Sequence, residues 1–95
     1  MNIIDLHTND KSVSSSSLFK DGLGTAVTLR ILQGKQLKEH ITKTPALLIC
    51  FDGMAVFENE KGVKSTLVSG DYIHIEPMIK HWVDGVTDCQ LLLFK

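Results

Sequence analysis

His40, His74 and His81, with Cys50 and Glu76, are the side chains here whose chemistry reaches beyond packing. Neutral imidazole ligates divalent metals and carries protons near neutral pH. A thiol that ionises is a softer ligand, suited to zinc or copper beside imidazole. A catalytic metal needs about three protein ligands and one open position, so two histidines need a third donor. His74, Glu76 and Cys50 are the candidates for that place. Each also has a plainer reading. His74 lies in the apolar run Tyr72 to Ile75 and reads as a core or rim histidine with a hydrogen-bond partner. Cys50 reads as a small core thiol. Cys50 and Cys89 are the only cysteines and do not form a CxxC pair, which argues against a zinc site built on sulfur.

The elements that must position these residues are short strands. Asp21-Gly22-Leu23-Gly24, Gly34, Asp52-Gly53, Glu60-Lys61-Gly62, Ser69-Gly70 and Asp84-Gly85 mark turns. Between them lie β-forming stretches at Thr25 to Leu32, Ala46 to Phe51, Met54 to Glu58, Val63 to Val68, Tyr72 to Ile75, His81 to Val83 and Cys89 to Phe94. Strands at this spacing predict an all-β sandwich or barrel. Asp52-Gly53 has the residues of a two-residue turn with both φ angles positive, which predicts that Ala46–Phe51 and Met54–Glu58 pair as a hairpin. The run Ala46 to Cys50 is continuously apolar, as in a strand covered on both faces. Period-two geometry puts Ala46, Leu48 and Cys50 on one face and turns Trp82 away from the face of His81. No window has a convincing helical period. Asn9 to Ser17 is polar and serine-rich and is read as a loop. Ile3, Ile4 and Leu6 are apolar enough to dock against the body.

The 95 residues suit one domain, 1–95, and 43% of them are hydrophobic, enough for a packed core. The formal net charge is −1 and the basic residues do not cluster, which excludes a concentrated nucleic-acid or anionic-membrane surface. No apolar stretch approaches the roughly 20 residues that span a bilayer. No secretory leader is read at Met1 to Asp10. The expected location is the cytoplasm, where lone cysteines stay reduced.

From Gly34 to Phe94 the chain resembles the cupin family. The first cupin motif runs Gly, five residues, His-x-His, three or four residues, Glu, six residues, Gly. Here Gly34 leads to His40-Ile41-Thr42-Lys43-Thr44-Pro45-Ala46, and Gly53 closes the frame. The second motif runs Gly, five residues, Pro-x-Gly, two residues, His. Here Gly70-Asp71 opens it, Ile75-Glu76-Pro77-Met78 fills it, and His81-Trp82 ends it. The stretch His40 to Leu47 is similar to a group of very small bacterial cupins in which His-x-His is reduced to His-x-Thr followed by Pro.

The resemblance implies an antiparallel jelly-roll barrel, the double-stranded β-helix. It also implies a divalent metal held by two histidines and a glutamate from the first motif and one histidine from the second. His40 and His81 match. Thr42 stands at the second histidine position and Ala46 at the glutamate, so half the usual ligands are missing. A threonine hydroxyl is not ionised at neutral pH and ligates poorly.

Three functions follow as expectations. The first is a small-molecule-binding module whose lumen is lined by His40, Thr42, Leu48, Cys50 and His81. The second is a metal-dependent enzyme of the dioxygenase or isomerase kind, using His40 and His81 to hold Zn, Fe, Ni or Mn. The third is a structural homodimer without catalysis, motivated by the apolar runs Ala46 to Phe51 and Leu91 to Phe94. No catalytic residue is assigned, and the cofactor is either absent or one of these metals.

Overall fold

In the computed structural model, which describes residues 1–95, a short 3-10 turn at Ile3–Leu6 precedes nine strands. These are β1 (Val13–Asp21), β2 (Gly24–Ile31), β3 (Gln36–His40), β4 (Ala46–Asp52), β5 (Ala55–Asn59), β6 (Lys64–Leu67), β7 (Tyr72–Ile75), β8 (His81–Gly85) and β9 (Cys89–Phe94). They form two antiparallel sheets, ordered β1-β2-β9-β4-β7 and β3-β8-β5-β6. The all-β barrel expected from the turn spacing is the one observed.

Alternation along the strands decides what lies between the sheets. Leu29 and Ile31 of β2, Ala46, Leu48 and Cys50 of β4, Ile75 of β7, and Cys89, Leu91 and Leu93 of β9 face inward. They meet Ala55, Phe57, Leu67 and Val83 of the second sheet in one buried cluster. Fully burying each large aliphatic or aromatic side chain contributes roughly 1.5–3 kcal/mol, so this cluster is the main favourable term in folding.

The expected hairpin of β4 with β5 does not form. β4 pairs with β9 and β7, whereas β5 pairs with β8 and β6. The Asp52-Gly53 turn carries the chain from one sheet to the other instead. Gly53 has the positive φ of +76° that the turn signal implied. Asp52 does not take the positive φ that the expected turn also needs, so only its glycine half is realised, and burial of both flanking strands in opposite layers decided the partners. A second correction concerns Asn9 to Ser17. From Val13 on, this polar segment is strand β1, paired with β2 from Val13↔Ile31 to Asp21↔Gly24 with one register shift between Ser17 and Phe19. An edge strand pairs along one side and leaves much of its surface in water, so serine is tolerated there where a central strand would need apolar residues. Gln36–His40, outside the expected strand runs, is also a strand.

Four connections between the sheets gather at one end of the barrel, after β2, β4, β6 and β8. They are knitted together by Gly34 N–H to the Gly85 carbonyl (2.8 Å), Gly70 N–H to the Cys50 carbonyl (2.8 Å) and Val86 N–H to the Met54 carbonyl (3.0 Å). A Cβ on Gly53 would lie 2.1 Å from the Asp88 carbonyl oxygen and 2.9 Å from the Cys89 Cα. Gly34 shares the positive φ (+74°) but has nothing within 4 Å. Gly53→Ala is therefore expected to lose about 3 kcal/mol or more, from the left-handed backbone plus an unavoidable main-chain clash. Gly34→Ala should lose only about 1 kcal/mol, from backbone strain alone. Urea unfolding of the two variants against the parent chain checks this; equal losses would mean that the close approach at Gly53 is unimportant.

Candidate functional site

The histidine pair sits at the opposite end of the barrel, where β3 finishes and β8 begins. The β3–β8 ladder pairs Gln36↔Asp84 and Leu37↔Val83, then resumes at His40↔His81. Lys38 and Glu39 together oppose Trp82, which makes a β-bulge. A bulge shifts side-chain parity by one residue. Leu37 faces the core, so an unbroken strand would send Glu39 inward and His40 out. The bulge instead aims His40 inward, toward His81. Trp82 points away from His81 as expected, to the outer face of its sheet, where it is half-buried beside Glu58.

His81 is 1% exposed and stacks on Phe57 with ring centroids 5.7 Å apart. Its Nε2 lies 2.9 Å from Nε2 of the half-buried His40. Each ring is held from behind. His40 Nδ1 is 3.1 Å from the Lys38 carbonyl oxygen, and His81 Nδ1 is 3.2 Å from the Ile79 carbonyl oxygen. A carbonyl only accepts, so each Nδ1 carries the proton and donates it. Burial, and to a smaller degree the neighbouring His40, hold the His81 pKa below its ordinary value of 6.5. The hydrogen bond to the Ile79 carbonyl opposes this, by more than His40 adds to it.

Other candidates fall outside this pair. Thr42 is 7% exposed, its carbonyl accepts from Met78 N–H (2.8 Å), and its Oγ1 has no partner. Leu48 and Cys50 are in the packed core. The Cys50 Sγ points to the Asp52 and Gly53 carbonyls at 3.5 and 3.6 Å, and burial raises its pKa. Burial pushes the Cys89 thiol up to about 11. His74 is exposed on the outer face of β7, edge-on to Tyr72. Glu76 is exposed and paired with Lys61 at 2.8 Å.

These positions test the metal that a cupin frame implies. Two imidazole nitrogens converge, but Thr42 is a neutral hydroxyl, Ala46 has no donor, Cys50 is held as a thiol, and His74 and Glu76 face elsewhere. No group of three His, Cys, Asp or Glu side chains could hold an ion. The donor set does not fit a catalytic divalent metal.

A cleft of about 440 Å³ opens beside His40. It lies between edge strand β1 of one sheet and edge strand β3 of the other. Val13, Val27, Leu29, Leu37 and Leu93 line it with Ser15, Lys38, His40 and Lys95. Of the five residues expected to line a ligand site, His40 reaches this cleft. His81 stands directly behind His40, and Leu48, Cys50 and Thr42 are buried.

Sequence reasoning passed over His7, which is 8% exposed. It packs on the outer face of the larger sheet, with Nδ1 2.9 Å from Ser14 Oγ and Nε2 3.2 Å from Thr28 Oγ1. Arg30 fastens the same segment by donating to the carbonyls of His7 (3.2 Å), Asn9 (2.8 Å) and Lys11 (3.1 Å). Burial, then the Arg30 charge, lower the His7 pKa. Ile3, Ile4 and Leu6, expected to dock, are not what holds the segment, since Ile4 and Leu6 stay exposed; the polar clasp holds it, and nothing in the sequence signalled that clasp.

With two face-to-face antiparallel sheets and a histidine pair at the open end, the chain has the fold of the cupin barrels. Solved structures bear this out. A cupin superfamily protein from Desulfitobacterium hafniense superposes with a TM-score of 0.84 at 18% identity, over 94% of this chain and 81% of its own. A cupin-2 domain-containing protein from Shewanella frigidimarina gives 0.81 at 13%, over 100% and 92%. A cupin 2 conserved barrel domain protein from Leptotrichia buccalis gives 0.85 at 18%, over 99% of this chain and 46% of its own. No family model and no curated protein matches the sequence. No helix is long and apolar enough to cross a membrane.

Both His7 and His81 have lowered folded-state pKa values, so the unfolded chain binds more protons just below pH 6.5. Their contribution to stability is present above 6.5 and lost as pH falls through the depressed values. Denaturant midpoints measured across this range should decline on acidification, and His7→Gln combined with His81→Leu should flatten the decline. An unchanged slope would mean that neither ring is the group responsible. Native thiols should also resist Ellman's reagent, with both reacting only on unfolding.

Proposed function

We propose that this chain is a metal-free, ligand-binding module that takes a small organic molecule into the cleft between β1 and β3. One observation carries the reading: the cleft joins an apolar floor to an inward-turned histidine whose other contacts satisfy it without a metal. Clefts of about 300–1,000 Å³ with few convergent polar groups are the usual form of small-molecule sites. The barrel interior itself is filled by side chains, so the ligand belongs at the mouth rather than the centre. Two buried, unpaired cysteines are compatible with a reducing compartment, and we place the module in the cytoplasm.

A homodimer is the second reading, supported by the outer face of the larger sheet. The N-terminal segment covers that face over β1 and β2. Beyond it Leu47, Ile49 and Leu92 are half-buried, while Phe94 and Tyr72 are 39% and 63% exposed. This apolar surface is continuous across β9, β4 and β7, the form a self-association face takes.

Elemental analysis of chain purified without an affinity tag should find no stoichiometric metal, and supplying Ni, Zn, Fe or Mn should leave its melting temperature unchanged. A bound metal lost in the His40→Ala, His81→Ala double variant would overturn the metal-free reading. Sedimentation at micromolar concentration should give a dimer that Ile49→Lys dissociates; a monomer would overturn the second reading.

A further inference from the structure

The two sheets do not close on each other. Strand β1 ends the larger sheet, β3 ends the smaller one, and no ladder joins them. The cleft lies along this seam. Its β1 wall is an unused hydrogen-bonding edge, and the ladder register shows which groups are free. Thr25 and Lys95 exchange both main-chain bonds (2.7 and 3.0 Å), so the N–H and carbonyl groups of Val27, Leu29 and Ile31 also face β9. Those of Thr28, Arg30 and Leu32 face β1, where Leu32 N–H reaches the Ser12 carbonyl at 2.9 Å. Their bonded partners on β1 are Ser16 and Ser14. Val13, Ser15 and Ser17 therefore turn their N–H and carbonyl groups away from β2, and none of them bonds to a turn or loop. Their side chains share the inward face with Val27, Leu29 and Ile31, yet Ser15 and Ser17 are exposed, because no strand follows β1.

The other sheet edges are guarded. β6 and β7 have four residues each, and β3 carries Lys38, Glu39 and the bulge. Short, charged or bulged edges resist strand addition. From Val13 to Ser17, β1 has no charge, no proline and no bulge; its own register shift comes after Ser17.

We propose that β1 accepts an extended peptide segment as a tenth, antiparallel strand, with large apolar side chains at alternate positions that enter the cleft. The inference rests on the cleft being the ligand site and names its ligand class. In such additions main-chain bonds supply affinity and alternate side chains supply specificity. Residues opposite Val13 and Ser15 in an antiparallel pair share their inward face, which sets both apolar side chains over Val27, Leu29, Leu37 and Leu93. Every ladder already in the molecule is antiparallel. A second copy's β1 fits less well, because its inward residues Val13, Ser15 and Ser17 are too small to fill about 440 Å³.

The test uses the full ¹⁵N-labelled chain and the peptide acetyl-Lys-Thr-Leu-Thr-Leu-Thr-Lys-amide. The peptide should shift the amides of Val13, Ser15 and Leu37 and slow hydrogen exchange at Val13 and Ser15. N-Methylation of both leucines removes the donors that face β1 and should weaken binding about tenfold or more. N-Methylation of the threonines, whose N–H groups face away, should leave binding unchanged. Any other pattern among the three peptides, equal binding included, would overturn strand addition. Ser15→Pro removes an N–H that the β2 ladder does not use, so the variant should fold and lose the peptide yet still bind benzyl alcohol at the cleft. Retained peptide affinity in the folded variant would overturn the inference. Benzyl alcohol shifting Leu37 where no peptide does would keep the cleft reading and overturn the peptide. No shift from either probe at millimolar concentration would overturn both. Exchange at Val13 and Ser15 that slows with protein concentration alone would put a second copy on the edge and overturn the peptide.

Discussion

Four chain crossings between the two sheets share one end of this barrel, and the closest approach there sets the geometry of everything else. Gly53 runs against the Asp88 carbonyl at a separation no side chain tolerates. That contact brings the β4–β5 and β8–β9 connections together and so sets the two layers face to face. Leu48 and Cys50 then meet Phe57 and Val83 across the interior. With one end knotted by main-chain hydrogen bonds, the other end is left for side chains to shape, and there the chemistry lies. Tight backbone contact at one pole and a looser cleft at the other follow from the same two-layer constraint.

At the open pole the β3 bulge matters most. Without it, His40 would face solvent and a glutamate would be driven toward the core beside His81. With it, two imidazoles meet at hydrogen-bond distance, each tied from behind by a carbonyl. The backbone arrangement of β3 and β8 here presents two nitrogens to each other. Thr42 and Ala46 remove the remaining donors without disturbing the strands around them, because a small alcohol and a methyl group fill buried positions readily. The core depends on volume and not on donor atoms, so these positions pack without a ligating group.

The N-terminal segment shows a different economy. A polar strand at the sheet edge would leave its outer face wet, and His7 covers part of it by bonding two hydroxyls at once. Arg30 holds the segment through three carbonyls rather than through any carboxylate, so the clasp depends on backbone path more than on side-chain identity. It also divides the outer face of the larger sheet into a covered half and an open apolar half.

Much of this was legible in the residues. Turn chemistry at Gly34, Gly53, Gly62 and Gly70 located the bends, and the alternation Ala46, Leu48, Cys50 named the inward face of β4. The glycine frames around His40 and His81 marked both members of the pair. What the sequence could not decide were the partners. Asp52-Gly53 suits a hairpin and a crossing equally, because its φ angles are local while strand pairing depends on which layer buries each neighbour. Ser14 to Ser17 lack any strand signal because β1 borrows its order from β2. His40 faces inward only through a bulge that no local residue preference announces. Period-two reasoning assigns faces correctly until one extra residue shifts the parity, and the pull that inserts that residue, the packing of β3 against β8, exists only in the folded barrel.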